Sequence, residues 1–311
     1  MFSQTRIVLL LSIVSSAVYL SVITYNLDYI FLFLSTIPLF IFGLSGFSYS
    51  ILKIGIISVI PIIIGSDISY GILYISMFVL PCFYLCHTLL RHYDLKILNN
   101  DTVLRLWVPT GIGMLNLALY GCIVLSIMTA IFAYGDVSLP DFIEKTVQNE
   151  LKLLAKGGDI NLRISVGNMA LMLSGFSVWM WAFLLLSGAW VVNWFLLRND
   201  MAKRKNLAIT TFSIPYWLLS LMGICALASI IGSRSMSFLG KSSLLILLLP
   251  YFCQGIAMFH DNIRNSPNRR FFMFIVYFPI VMFLWPALFV AAIGLVHHVK
   301  NFNKYLSSGR S

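Results

Sequence analysis

The chain reads as an all-α, polytopic transmembrane bundle of eight or nine spans, and three observations predict it. Of its 311 residues, 59% are apolar or aromatic and only 10% are charged, whereas soluble domains carry about a quarter charged residues. The mean hydropathy of +0.91 reflects more apolar side chain than a soluble fold of this length can hide from water. The apolar residues also fall in runs close to the ~20 residues that a helix needs to cross a bilayer. Disorder, which requires low hydrophobicity, is excluded. A single integral membrane domain is expected over residues 1–311.

In chain order, the runs are Ile7 to Tyr25, Tyr29 to Gly46, Ile51 to Ile64, Tyr70 to Thr88, Leu106 to Tyr134, Met169 to Leu197, Phe212 to Gly232, Ser242 to Phe259 and Phe271 to Val296. The first holds Ser12, Ser15 and Ser16 mid-run and lacks a following small-residue cleavage site, so it reads as a helix rather than a cleaved signal. The third is short and contains Pro61, which makes it the span whose crossing separates nine from eight. The last contains Pro279 and Pro286, where a kink is expected.

Basic residues orient the bundle. Arg6 precedes the first run; Arg91, Lys96 and Arg105 follow the fourth; Arg198, Lys203, Arg204 and Lys205 follow the sixth; Arg264, Arg269 and Arg270 follow the eighth. With nine spans all of these share one side, expected to be the cytoplasm of a bacterial inner membrane, with the N-terminus there too. The tail, with Lys300, Lys304 and Arg310, would then lie outside, against the same rule, so its side stays open. The net charge of +10 is accounted for by these loops and their contacts with lipid headgroups, not by nucleic acid.

The connection over 136–158 carries its own helix. Ser138, Pro140 and Asp141 form a helix start, with a capping hydroxyl, proline in the first turn and an acid three residues after the cap. Ile143, Val147, Leu151 and Leu154 then share one face, Glu144, Lys145, Gln148, Glu150 and Lys152 occupy the rest, and Gly157-Gly158 supplies a stop. The pattern predicts an amphipathic helix in the outer membrane interface or over a pocket mouth.

Signatures of catalysis are missing: there is no phosphate-binding glycine loop with a following Lys, no His-Glu-x-x-His and no nucleophile elbow. The apolar runs hold no Asp or Glu away from their edges, which argues against a proton pump. Five cysteines show no zinc spacing, although Cys82 and Cys86 lie one turn apart ahead of His87. No cofactor, metal or enzymatic activity is expected. The neutral polar groups at membrane depth are Asn116, Asn168, Asn193 and Gln254, with His260 near a boundary. An amide facing lipid would lose its hydrogen bonds, so each should face protein, water or a ligand. Interhelical hydrogen bonding is the plainer use for each of them. Gln254 with Gly255 is the most suggestive pair, since glycine admits a neighbouring backbone. Trp179 or Trp181 would wall an apolar pocket, or simply pack. The candidate ligand-binding set is Asn116, Asn168, Gln254, Trp179 and His260.

The order Ser35-Thr36-Ile37-Pro38-Leu39, Gly43, Leu80-Pro81 closing a helix, Leu106-Trp107-Val108-Pro109, then Pro250-Tyr251-Phe252-Cys253-Gln254-Gly255-Ile256-Ala257-Met258-Phe259-His260 and a terminal Gly294-Leu295 resembles the YybS-like family of bacterial multi-pass membrane proteins. That family is a domain of unknown function, here in its alphaproteobacterial form. The N-terminal half is similar to the substrate-binding membrane subunits of energy-coupling-factor vitamin transporters. The family has no established activity, and the likeness to transporter subunits is one of fold. The neutral polar residues at membrane depth, with no buried acid, point to binding of a small, largely uncharged molecule, and the missing ATPase motif leaves any energy input to membrane partner subunits. The chain departs from the family at His297-His298-Val299-Lys300-Asn301-Phe302, where an acidic and aromatic segment is usual. The expected function is a small-molecule-binding component of a transport system; the alternative is a non-catalytic membrane scaffold or assembly factor acting through its basic loops.

Overall fold

The computed structural model describes residues 2–25, 27, 29–96, 103–154, 166–204, 214–283 and 285–308. Among the described residues the fold is all-α but for one small hairpin, and five helices are long and apolar enough to cross a membrane. The chain is a membrane protein in that sense. Contacts divide it into two compact units, Met1–Leu117 with Trp181–Ala208, and Ala118–Met180 with Ile209–Ser311.

In the first unit, α1 (Phe2–Thr24) packs on α3 (Ser50–Gly65) through a seam of hydroxyls. Ser12, Ser15 and Ser16 are buried. Small hydroxylated residues let the two backbones approach, and their O–H groups bond inside the bundle. Ser58 donates to the Ser12 carbonyl at 3.0 Å, and Ser15 donates to the Ser35 carbonyl at 2.6 Å while bonding the Tyr74 hydroxyl at 2.5 Å. The second run is a 3-10 helix, Tyr29–Thr36, continuing into α2 (Ile37–Leu44) with Pro38 in its first turn, where proline's missing N–H costs nothing. Pro61 sits inside α3 without ending it.

The fourth run is one continuous helix, α4 (Ile68–Tyr74), a π-turn (Ile75–Val79) and α5 (Leu80–Leu89). Leu80-Pro81, expected to close a helix, instead opens α5. The π-turn widens the backbone just ahead of the proline ring, a common relief for the clash that proline creates one turn back. Pro81 has no N–H to offer the Met77 carbonyl, and the Trp181 indole N–H donates to that oxygen at 2.9 Å.

The fifth run starts later than expected. Leu106 and Trp107 belong to β2 (Val103–Trp107), paired antiparallel with β1 (His92–Lys96) so that His92 lies opposite Trp107. Proline pushes the residue before it towards extended backbone; Val108 precedes Pro109, and α6 begins only at Thr110, running to Ala133. Arg204 lies beyond α8 (Val166–Arg198) and is only 5% exposed. It donates to the carbonyls of Leu89 (2.8 Å) and Val108 (3.0 Å), with its guanidinium 5.6 Å from the Trp107 ring centre. One side chain thus satisfies the C-terminal end of α5 and the exit of β2, a favourable place for a cation. Burial pushes its pKa below the ordinary arginine value.

The second unit is built around α10 (Arg234–Ile263), with α9 (Trp217–Ile231) on one flank. The amphipathic helix is present as α7 (Leu139–Leu154). Its start is the expected capping arrangement: the Ser138 hydroxyl bonds the Asp141 carboxylate and accepts from the Asp141 N–H at 3.4 Å. The expected Gly157-Gly158 stop lies outside the described residues. Arg234, the first residue of α10, bridges Asp141 at 2.7 Å and Glu144 at 3.0 Å, tying α7 to that end of α10.

The final apolar run is not one helix but two, α11 (Arg269–Phe283) and α12 (Pro286–Ser308). Pro286 opens α12 and disfavours helix in the residue before it, which explains why the break falls there. Helix α12 runs antiparallel to α10: Gly255 meets Val290, Gly294 meets Tyr251, and His298 packs on Tyr251.

Candidate functional site

Helix α10 is the most enclosed of the long helices, and its residues from Leu249 to Ala257 are all buried. Two glycines shape that stretch. A methyl group on Gly294 would overlap the Tyr251 carbonyl, and one on Gly255 would overlap the Val290 carbonyl. The backbones of α10 and α12 therefore meet directly at this crossing.

Three polar atoms lie in this seam or beside it without a hydrogen-bond partner among the described residues: the Tyr251 hydroxyl, Gln254 Oε1 and His298 Nε2. Tyr251 is fully buried, His298 is 3% exposed and Gln254 7%. The His298 ring meets the edge of Tyr251 at 5.5 Å between centres and lies 5.0 Å from Tyr216. A buried polar group without a partner costs about 1–3 kcal/mol, and native folds rarely leave one so. Chemically the set offers an obligate acceptor at Gln254 and groups at Tyr251 and His298 that donate or accept. It contains no acid and no obligate cation, so it suits a neutral ligand bearing N–H or O–H groups.

The other sequence-derived candidates occupy different surroundings. Trp179 is 2% exposed, donates its indole N–H to the Leu245 carbonyl at 2.9 Å, and packs between Phe176 and Phe252. Asn116 belongs to the first unit, where its amide donates to the Thr88 hydroxyl at 3.0 Å. His260 lies near the opposite end of α10 from Arg234, partly exposed, with Nε2 2.8 Å from the Tyr277 hydroxyl. Asn168 is helical in α8, and its side chain lies outside the described residues. The structure brings Tyr251 together with His298, and Gln254 lies about one turn along α10 from Tyr251. It places Asn116 and Trp179 in helix-to-helix hydrogen bonds. Among the described residues no three His, Cys, Asp or Glu side chains converge as metal ligands; Cys82 and Cys86 are buried free thiols.

Tyr251 and His298 are the partners that sequence reasoning missed. A signal for them exists. Each glycine of the crossing has a polar residue at helical spacing, Tyr251 four before Gly255 and His298 four after Gly294, and residues four apart share a helix face. No family model, curated protein or solved structure matches the chain.

Proposed function

We propose that this protein is a bacterial inner-membrane component of a transport system that binds a small, largely uncharged molecule at Gln254, Tyr251 and His298. The observation that carries the reading is the amide oxygen of Gln254, a residue only 7% exposed, which has no partner among the described residues and stands beside a glycine crossing. An amide oxygen accepts from a ligand N–H or O–H. The chain carries no ATPase motif, so partner subunits supply any energy. In this reading the N-terminus is cytoplasmic and the chain crosses eight or nine times. The five long apolar helices support the reading, and the shorter ones, Phe31–Leu44, Ser50–Gly65 and Trp217–Ile231, are the candidates for the further crossings. Membership of the YybS-like family, and the likeness of the N-terminal half to energy-coupling-factor binding subunits, belong to the same proposal.

The test is thermal unfolding of the detergent-purified chain against a panel of vitamins and neutral metabolites. A ligand at a hundred times its Kd stabilises by about 2.7 kcal/mol. The expected result is a raised midpoint that Gln254→Ala abolishes. If nothing in the panel raises the midpoint and Gln254→Ala alters stability alone, the reading fails. A scaffold is the second reading, favoured by Asn116 and Trp179, whose polar atoms serve helix packing. Neutralising Lys203 and Lys205 would then strip partners in a pull-down, and would leave ligand affinity intact in the first reading. Arg204 is unsuitable for that test, because its loss damages the fold.

A further inference from the structure

The outward side of α12 carries a second feature, separate from the Gln254 seam. A groove of about 390 Å³ runs along it, lined by Met258, Phe289, Ile293, Val296, His297 and Lys300. This volume lies within the ~300–1,000 Å³ of ordinary ligand pockets. Phe289, Ile293 and Val296 are each more than half exposed, and they succeed one another at helical spacing up to Lys300. From Phe289 to Lys300 the helix rises about 16 Å, close to the ~15 Å of a single leaflet's hydrocarbon. The groove therefore has the length of one acyl chain and ends in basic groups where a headgroup begins.

Charge decides the kind of lipid. Helix α12 carries no Asp or Glu, whereas Lys300 and Lys304 lie in its C-terminal half. No acid on α12 is available to neutralise Lys300, and a lysine at this depth extends its ammonium towards the headgroups. His297 Nε2 lies 2.9 Å from the Asn301 amide nitrogen. With that amide donating, the ring's proton sits on Nδ1 as a second donor for an oxyanion.

We propose that this groove is a specific site for an anionic phospholipid, one acyl chain lying along Phe289, Ile293 and Val296 and the phosphate held by Lys300 and His297. The experiment is native mass spectrometry of the full-length chain, delipidated in detergent and titrated with phosphatidylglycerol, phosphatidylcholine or palmitate. Phosphatidylglycerol should be retained at least fivefold better than phosphatidylcholine. Lys300→Gln should reduce it to the phosphatidylcholine level, Lys300→Arg should preserve it, and Ile293→Trp, which fills the groove, should remove both lipids. Circular dichroism and a monodisperse elution profile confirm that each variant is folded, and Lys300→Arg carries the comparison if Lys300→Gln is not. Equal retention of the two phospholipids, retention unchanged in Lys300→Gln, or preference for palmitate over phosphatidylglycerol overturns the proposal. None of these outcomes bears on ligand binding at Gln254.

Discussion

Gln254 and Arg204 show opposite uses of a buried polar side chain. Gln254 presents an acceptor that nothing in the described chain satisfies. Replacing such a group by an apolar one of similar shape is close to neutral, or stabilising. Gln254→Met is therefore expected to hold or raise the stability of the ligand-free protein, by up to about 1 kcal/mol as read from its unfolding midpoint, while ligand binding is lost. A fall of that size would mean that the amide is bonded and structural. Arg204 has its two carbonyl partners in place. Arg204→Ala leaves both without a donor and should cost about 2 kcal/mol or more, read as a lower midpoint in detergent. Arg204→Lys should recover part of the loss, since an ammonium lacks the guanidinium's planar fork. Both residues are conspicuous in the sequence, but only as types. Gln254 stands out as an amide inside an apolar run. Arg204 sits in a Lys-Arg-Lys triplet that reads as a solvated, orienting cluster, and nothing local says that the middle member turns inward.

At the scale of elements, local chemistry was most legible where it acts over a few residues. The start of α7 follows from Ser138, Pro140 and Asp141 alone, and the structure forms that cap. Ser138→Ala is expected to destabilise the helix by about 1 kcal/mol, measurable as faster amide exchange over 139–146. The Arg234 bridge to Asp141 and Glu144 is part-exposed, so salt screens it. Arg234→Gln should speed proteolysis around α7 at low salt and make little difference at high salt. The β1–β2 hairpin was overlooked because two five-residue strands are faint beside the apolar runs around them. The division of the last run turns on Pro286, whose effect on the residue before it outweighed continuous hydrophobicity. Gly294→Val should be among the most damaging single changes, because the group it would strike is a backbone carbonyl that has nowhere to move. Overpacking of this kind costs about 1–3 kcal/mol or more.

For the whole molecule, composition carried the class and left the topology to the details of packing. The Arg234 bridge ties α7 to the N-terminal end of α10. Since α12 runs antiparallel to α10, its C-terminal end lies towards that same end of α10. In a cysteine-free background, Ser235→Cys and Ser308→Cys should label from one face of the membrane and Asn265→Cys from the other. Labelling of Ser308→Cys together with Asn265→Cys would refute this arrangement. The basic tail argues the other way under the positive-inside rule, and this is why its side was not readable from sequence. A count of charges does not register two glycines that seat one backbone against another.

That backbone contact also has a bearing on biogenesis. Chains are made from the N-terminus, so α10 enters the bilayer well before α12 has left the ribosome. In that interval the glycine face of α10, with Tyr251 and Gln254, has acyl chains or a chaperone for a neighbour. A message truncated before Pro286 would leave it in that condition permanently. Such a product should be cleared by membrane proteases much faster than one shortened after Ser308.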